Sequence, residues 1–141
     1  MSDPHHCYPL TILERHLDTF GHVNNATYLE ILEEARWDWI TRNGYGIDKV
    51  QKTGFGPVVL EIKIAFRKEL RLRKSVVIES YLDEYRMKIA KIRQFIRDDQ
   101  SSLCCTADFT FGLFDLSARK LILPTEEWLN ALKPIPQIVT K

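Results

Sequence analysis

Residues 18–42 read DTFGHVNNATYLEILEEARWDWITR, and the elements on either side are organised around this stretch. It begins with a turn, because Asp18 and Gly21 interrupt the extended pattern before it. The spacing then predicts one long helix from about Ala26 to Arg42, which ends before an Asn-Gly pair, a common C-terminal signal. The apolar residues on one helix face are Tyr28, Ile31, Leu32, Ala35 and Trp39. The opposite face is acidic, and Trp37 on it is predicted to contact another subunit.

The segments around this helix have the patterns of extended chain. Apolar residues with period two, which place Val58, Leu60, Ile62, Ile64 and Phe66 on one face, are typical of a strand. The predicted strands are Tyr8–Leu17, 58–66, 76–82, Met87–Arg97 and 103–113, and a short last helix opens at Pro124 with Thr125 as its N-cap. One strand, a long helix and consecutive strands imply an α+β fold, in which an antiparallel sheet covers the helix. The exposed sheet edges favour pairing with another subunit.

Composition excludes several classes of protein. With 141 residues and 45% hydrophobic content, we expect a single domain over residues 1–141. A net charge of +1 lacks the basic excess of nucleic-acid-binding proteins, and no apolar run has the length of a signal segment or a membrane span. Three cysteines and four histidines, of which His5 and His6 fall in a terminus expected to be loose, have no metal-ligand spacing. We therefore expect a cytoplasmic protein with reduced thiols and no metal.

The residues that could take part in catalysis lie between Asp18 and Tyr28. A carboxylate stands just before a glycine-containing turn, and Asn24 and Asn25 stand at the start of the long helix. The first N–H groups of a helix have no intrahelical partner, and the helix dipole favours negative charge there. A thioester carbonyl held against this terminus would have its developing oxyanion stabilised, while Asp18 attacked it or activated a water.

Structural roles compete with these catalytic ones. Asp18 could simply bond its own turn, and Asn24 and Asn25 are good helix caps. Capping and oxyanion binding are compatible, because a cap orders the same N–H groups that would meet the substrate. For His22 the structural and the catalytic role both stay open, and Tyr28 is interpreted as core or pocket wall.

The sequence also resembles a known family. The residues that carry the resemblance are His16-Leu17-Asp18, residues 22–26, residues 28–30 and residues 32–38, with a looser match at residues 57–59 and 64–67. They are similar to the acyl-CoA thioesterases of the 4-hydroxybenzoyl-CoA thioesterase group. Within this group the similarity is greatest to the bacterial long-chain acyl-CoA thioesterase III branch. The resemblance implies a hotdog fold, a homodimer or homotetramer, and active sites near subunit interfaces.

The resemblance also implies roles for individual residues. Asp18 matches the catalytic carboxylate, and the backbone N–H of Asn25 matches the oxyanion contact. Some relatives have a catalytic histidine at the position of Asn25 and a catalytic tyrosine at that of Glu14. This chain departs from them at both places, so His22 or the Asn25 amide is the predicted assistant of Asp18.

These inferences predict hydrolysis of a medium- to long-chain fatty acyl-CoA without a cofactor. Gly21, Tyr28, Val58 and Val59 are the predicted substrate contacts, with an apolar channel beside the helix that also includes Leu32. The chain from residue 63 to 74 is locally basic, and Arg67 within it is a candidate ligand for coenzyme A phosphates. The alternatives are action on aryl-CoA or carrier-protein thioesters, an acyl-CoA-binding module without turnover, and enoyl-CoA hydration.

Overall fold

The computed structural model describes residues 3–136, so both ends of the predicted domain 1–141 lie outside the described residues. The strands are β1 (His6–Thr11), β2 (Phe55–Phe66), β3 (Ser75–Arg86), β4 (Ile89–Arg97), β5 (Leu103–Asp115) and β6 (Lys120–Ile122). The helices are α1 (Asn25–Arg42), α2 (Ile47–Thr53) and α3 (Glu126–Ala131). The strands form one antiparallel sheet in the order β1-β3-β4-β5-β2, and β6 pairs with the end of β5.

Helix α1 packs one face on this sheet. Its predicted inward residues Tyr28, Ile31, Leu32, Ala35 and Trp39 are all buried, as the periodicity indicated. The side chains they meet come from alternate positions of the strands, namely Val76, Ile78, Ile96, Cys105, Ala107 and Phe109. Each fully buried side chain of this size contributes about 2 kcal/mol, so this contact holds helix and sheet together. The α+β architecture and the strand alternation over 103–113 are confirmed.

A second cluster closes the far end of α1. Trp39 and Trp128 are almost completely buried there, and the ring of Tyr45 lies edge-on to Trp128 with their centroids 5.2 Å apart. The Trp39 indole N–H donates to the Lys133 carbonyl at 3.0 Å, and Asn43 donates to the same carbonyl at 2.9 Å. The last helix is thereby fixed against the end of α1.

The predicted helix boundaries hold to within one residue. Helix α1 starts at Asn25 rather than Ala26, because the Asn24 side chain accepts the N–H of Thr27 at 3.0 Å and acts as the N-cap. Gly44 follows its end with φ +87°, a conformation that favours glycine. Thr125 caps α3 as predicted, by accepting the N–H of Trp128 at 3.2 Å.

The first strand was predicted to extend from Tyr8 to Leu17, which is wrong. It ends at Thr11, because its partner β3 begins at Ser75 opposite that residue. Residues Glu14–His16 form one turn of 3-10 helix instead. The His16 ring closes this turn, since its Nδ1 accepts the N–H of Leu13 at 2.9 Å.

Two short elements were missing from the predicted element order. Helix α2 stands where only a glycine-bearing loop was predicted, and it lies between Gly46 and Gly54, the latter with φ +76°. Strand β6 has only three residues. Neither is long enough to show a clear hydrophobic period, and both depend on contacts made elsewhere in the chain.

The predicted single apolar face of β2 is also wrong. The register with β5 shifts between Val59 and Glu61, so a bulge at Leu60 breaks the alternation. The strand lies at the edge of the sheet, where the side chains of Leu60, Ile62 and Phe66 are 47%, 42% and 50% exposed. The apolar pattern of β2 predicts that these side chains are covered, but no other element of residues 3–136 covers them.

The prediction of a loose terminus around His5 and His6 is contradicted as well. His6 lies in β1, is only 1% exposed and stacks on the Trp39 ring. Its Nε2 lies 2.7 Å from the Asp38 carboxylate, which also receives Arg42 at 3.0 Å. Within residues 3–136 no helix is long and apolar enough to cross a membrane.

Stability should fall in mild acid because two histidines, His6 and His16, are buried and His5 is half-buried. Burial lowers the pKa of His5, His6 and His16 below the ordinary value of 6.5, and for His6 this effect exceeds the opposing effect of Asp38. The unfolded chain therefore binds more protons than the folded one as pH drops below 6.5. Denaturant unfolding at pH 7.5 and 5.5 should give the lower free energy of unfolding at pH 5.5, and His6→Gln should reduce the difference. An equal or higher value at pH 5.5 would contradict this explanation.

The cap of α1 can be tested in the same assay. Asn24→Ala removes the acceptor for the Thr27 N–H and should lower the free energy of unfolding by about 1 kcal/mol. Asn24→Asp keeps a capping oxygen and is the matched control, expected to stay close to wild type. Equal losses in both variants would show that the amide matters for some reason other than capping.

Candidate active site

The turn at residues 18–22 closes on the side chain of Asp18. Its Oδ1 accepts the backbone N–H of Phe20 at 2.9 Å and that of His22 at 3.1 Å. The Asp18 N–H donates to the His22 carbonyl at 2.8 Å, and Gly21 at the tip has φ +78°. The structural role considered for Asp18 is therefore real, but it uses one carboxylate oxygen. Within the described chain, the other oxygen, Oδ2, has no hydrogen-bond partner.

The start of α1 follows this turn directly. The cap uses the N–H of Thr27, and the N–H of Tyr28 donates to the Asn24 carbonyl at 3.2 Å. The N–H groups of Asn25 and Ala26 precede them in the first turn and have no intrahelical acceptor. Two backbone donors at the positive end of a helix dipole thus remain for a negatively charged or polarised oxygen.

An open cleft of about 450 Å³ lies against this helix terminus. Its lining residues are His22, Val23, Asn25, Tyr28, Phe66, Arg67, Lys68 and Glu69. The rings of Tyr28 and Phe66 meet edge to face with centroids 4.8 Å apart and form its apolar wall. On the polar side, the Nδ1 of His22 lies 3.0 Å from the Glu69 carboxylate, with both side chains exposed. We call this space the helix-start cleft.

The structure places four of the eight predicted site residues in this cleft. His22, Asn25, Tyr28 and Arg67 line the helix-start cleft. Asp18 and Gly21 do not line it, but they belong to the turn whose hydrogen bonds fix the backbone of His22. Burial raises the pKa of the Tyr28 hydroxyl, so this group is protonated at neutral pH.

Val58 and Val59 lie elsewhere, in a second and more enclosed pocket of about 410 Å³ between α1 and the sheet. The other lining residues are mostly apolar and aromatic, among them Trp37, Trp39, Trp128, Phe109 and Phe111, with Arg36 and Glu33 as charged members. We call this space the tryptophan pocket. The single predicted channel therefore divides into two spaces, and Leu32, which was predicted to line it, is fully buried in the core and lines neither. Trp37 lines this pocket, which the prediction of a subunit contact did not anticipate.

Two residues of these spaces were missed in the sequence. Glu69 partners His22 across 47 positions of the chain, and Arg36 of α1 lines the tryptophan pocket. Glu69 is a single acidic residue within the locally basic segment 63–74, and this contrast is the signal that could have identified it. No cluster of three histidine, cysteine or acidic residues that could hold a metal ion occurs within residues 3–136.

Comparisons with known proteins identify the family of the chain. The model of the Thioesterase-like superfamily matches residues 13–139. The long-chain acyl-CoA thioesterase FadM of Escherichia coli K12 is 34% identical over 108 residues, which are 76% of this chain and 81% of FadM. The structure of YbaW, a probable thioesterase from Escherichia coli, superposes with a TM-score of 0.78 at 30% identity, over 90% of this chain and 96% of YbaW.

A more distant structure shows the same fold. SAV2348 of Staphylococcus aureus, in complex with CoA, superposes with a TM-score of 0.84 over 100% of this chain and 92% of its own, at only 15% identity. The family model covers far more than half of the residues, and it includes the turn of Asp18 and the whole of α1. The chain belongs to the Thioesterase-like superfamily, and its fold is the hotdog fold.

Proposed function

We propose that this thioesterase hydrolyses fatty acyl-CoA to free acid and coenzyme A without a cofactor, with Asp18 as the central carboxylate. The observation that carries the proposal is the asymmetric use of that carboxylate. Oδ1 is fixed by two backbone N–H groups, whereas Oδ2 accepts no hydrogen bond from residues 3–136, in a turn that precedes α1 in the chain. A group held this way needs no reorganisation when the substrate arrives.

The chemistry follows from the placement of charge. Asp18 Oδ2 either takes a proton from water, whose oxygen then adds to the thioester carbonyl, or adds to that carbonyl itself. In both routes the carbonyl oxygen becomes negative and is stabilised by the N–H of Asn25 and the dipole of α1. Collapse of the intermediate breaks the carbon–sulfur bond, and the thiolate takes up a proton and leaves as coenzyme A. Where Asp18 itself has attacked, a water then cleaves the Asp18–acyl anhydride, which releases the free acid and restores the carboxylate.

The polar rim of the helix-start cleft suits the rest of the substrate. Arg67 has no ion-pair partner among residues 3–136, whereas neighbouring Lys68 is held by Asp98 at 2.8 Å. A guanidinium left unpaired at the mouth of the cleft is a good ligand for coenzyme A phosphates. His22 is fixed by its backbone to Asp18 and by its ring to Glu69, which favours a positioning role beside the carbonyl.

A long acyl chain agrees with the apolar volume available. The tryptophan pocket provides about 410 Å³ lined mainly by aromatic and aliphatic side chains. FadM, the relative at 34% identity, is a long-chain acyl-CoA thioesterase. We therefore assign the tryptophan pocket, with Val58 and Val59 in its wall, to the acyl chain.

A homodimer formed along β2 would join the two spaces. The strand is at the edge of the sheet and exposes Leu60, Ile62 and Phe66. If two copies pair their β2 strands antiparallel about a two-fold axis, the C-terminal half of one strand lies beside the N-terminal half of the other. Phe66 in the helix-start cleft of one protomer would then approach the partner's Val58 and Val59. The acyl chain would pass from one protomer into the other.

The cellular location is part of the proposal. Cys104 and Cys105 are buried thiols, and burial raises the pKa of Cys105 to about 12. Such cysteines suit a reducing compartment, so we place the enzyme in the cytoplasm.

Asp18→Asn is the direct test of the proposed role. The variant keeps an oxygen that can accept the N–H groups of Phe20 and His22, but it loses the negative charge. We expect kcat for hydrolysis of a long-chain acyl-CoA, followed with a thiol reagent, to fall by about 100-fold or more, with little change in melting temperature. Asn130→Ala, on the distant helix α3, serves as the control and should keep wild-type kcat. Wild-type kcat in Asp18→Asn would discard the assignment, and acyl-CoA binding without any thiol release by the wild type would indicate a binding module.

Ile62→Asp tests the dimer. A carboxylate in the middle of the exposed β2 edge should prevent apolar pairing and halve the mass measured by light scattering. Met87→Asp changes a more exposed apolar residue in the β3–β4 turn, which strand β5 separates from β2, and should leave the mass unchanged. A monomeric wild-type protein, or an Ile62→Asp variant with unaltered mass, would rule out this interface.

A further inference from the structure

Arg36 gives the tryptophan pocket a positive charge that the proposed hydrolysis does not use. It lies on α1 among the aromatic lining, half-buried, with its guanidinium carbon 4.0 Å from the centroid of the Phe109 ring. Its Nη1 donates to the Gln94 Oε1 at 2.9 Å, and this is its one hydrogen bond in the part of the chain that the structure describes. A guanidinium has five N–H donors in a fixed fork, so most of them remain available to a ligand.

The support under Arg36 is rigid. Gln94 is completely buried, and its Nε2 donates to the Leu32 carbonyl at 3.1 Å and to the Ser80 hydroxyl at 2.9 Å. Both amide hydrogens are thereby used, which turns the Gln94 oxygen toward Arg36. The guanidinium is fixed by this hydrogen bond and by the Phe109 ring, and it is held in place before any ligand enters.

The charge of Arg36 is not neutralised by this chain. No carboxylate among residues 3–136 lies within ion-pair distance of it, and the acid that shares the pocket wall, Glu33, is exposed. Burial lowers the pKa of the guanidinium to about 10, against a weaker opposite effect of Glu33. A partly desolvated cation without an anion is costly, and an anion placed in the pocket would recover that cost.

We infer that the tryptophan pocket accepts acyl groups with a carboxylate at the end remote from the thioester, and that Arg36 binds this carboxylate. The inference rests on the proposed function, because it requires the acyl chain to enter this pocket. Aliphatic carbons of the chain would contact the tryptophan and valine side chains, and the terminal carboxylate would take the free donors of Arg36 as a bidentate ligand.

The position of Arg36 on α1 bears on the length of such a substrate. Arg36 follows Asn25 by 11 residues, which separates them by about 16 Å along the helix axis. A carbonyl at Asn25 and a carboxylate at Arg36 of the same protomer therefore require a long acyl chain. Passage into the partner protomer would give a different preferred length, so a series of lengths distinguishes the two paths.

The test compares ω-carboxyacyl-CoA thioesters with methyl-terminated acyl-CoA thioesters of equal carbon number. In the wild type, we expect kcat/KM to favour the ω-carboxyl substrate at one length in the series. Arg36→Met should lower the ratio of the two kcat/KM values by about tenfold to hundredfold, and Arg36→Lys by less, because it keeps the charge but loses the fork. Arg86→Met, which changes an exposed arginine at the end of β3, is the matched control and should keep the wild-type ratio.

Two results would overturn the inference. The first is a wild-type enzyme that prefers the methyl-terminated substrate at every length. This result needs no variant, so it counts even if Arg36→Met fails to fold. The second is a ratio of the two kcat/KM values that is unchanged in Arg36→Met. This result is expected if a carboxylate from a second copy of the chain pairs with Arg36 in place of the substrate. In both cases the wild type would still hydrolyse methyl-terminated acyl-CoA. A wild type that hydrolyses no acyl-CoA would instead refute the proposed function.

Discussion

The contact between α1 and the antiparallel sheet is the constraint on which the other features depend. With the face that carries Leu32 and Ala35 fully buried, the helix can take only one rotation about its axis. That rotation places Asn25 in the helix-start cleft and Arg36 in the tryptophan pocket. One packing surface therefore determines both where a carbonyl would be activated and which groups would meet the acyl chain.

Local interactions account for the parts of the fold that the sequence predicts well. The period of α1, its Asn24 cap and the alternation of β5 each depend on neighbours a few residues away. The Asp18 turn belongs to the same class, since both N–H groups that it accepts lie within four residues. The local pattern left both a structural and a catalytic role open for Asp18, and the family resemblance over residues 16–38 favoured the catalytic one.

Long-range pairing accounts for what the sequence did not predict. The end of β1 is set by where β3 begins, and the bulge at Leu60 is set by the register with β5. The same holds for the site, because Glu69 meets His22 and Gln94 meets Arg36 only after the sheet has formed. A glutamate and a glutamine in such positions have no local signature, so their partners are identified only in three dimensions.

The edge position of β2 connects the fold to the chemistry. A bulged strand with Leu60, Ile62 and Phe66 exposed is unfavourable in water, and pairing with a second copy would cover it without any change in the sheet. The helix-start cleft and the tryptophan pocket both adjoin this strand, through Phe66 at one end and Val58 and Val59 at the other. Val59 and Phe66 are exposed on this edge and also line the two spaces, so in the proposed dimer they would belong to one continuous acyl site, and assembly would then be coupled to substrate binding.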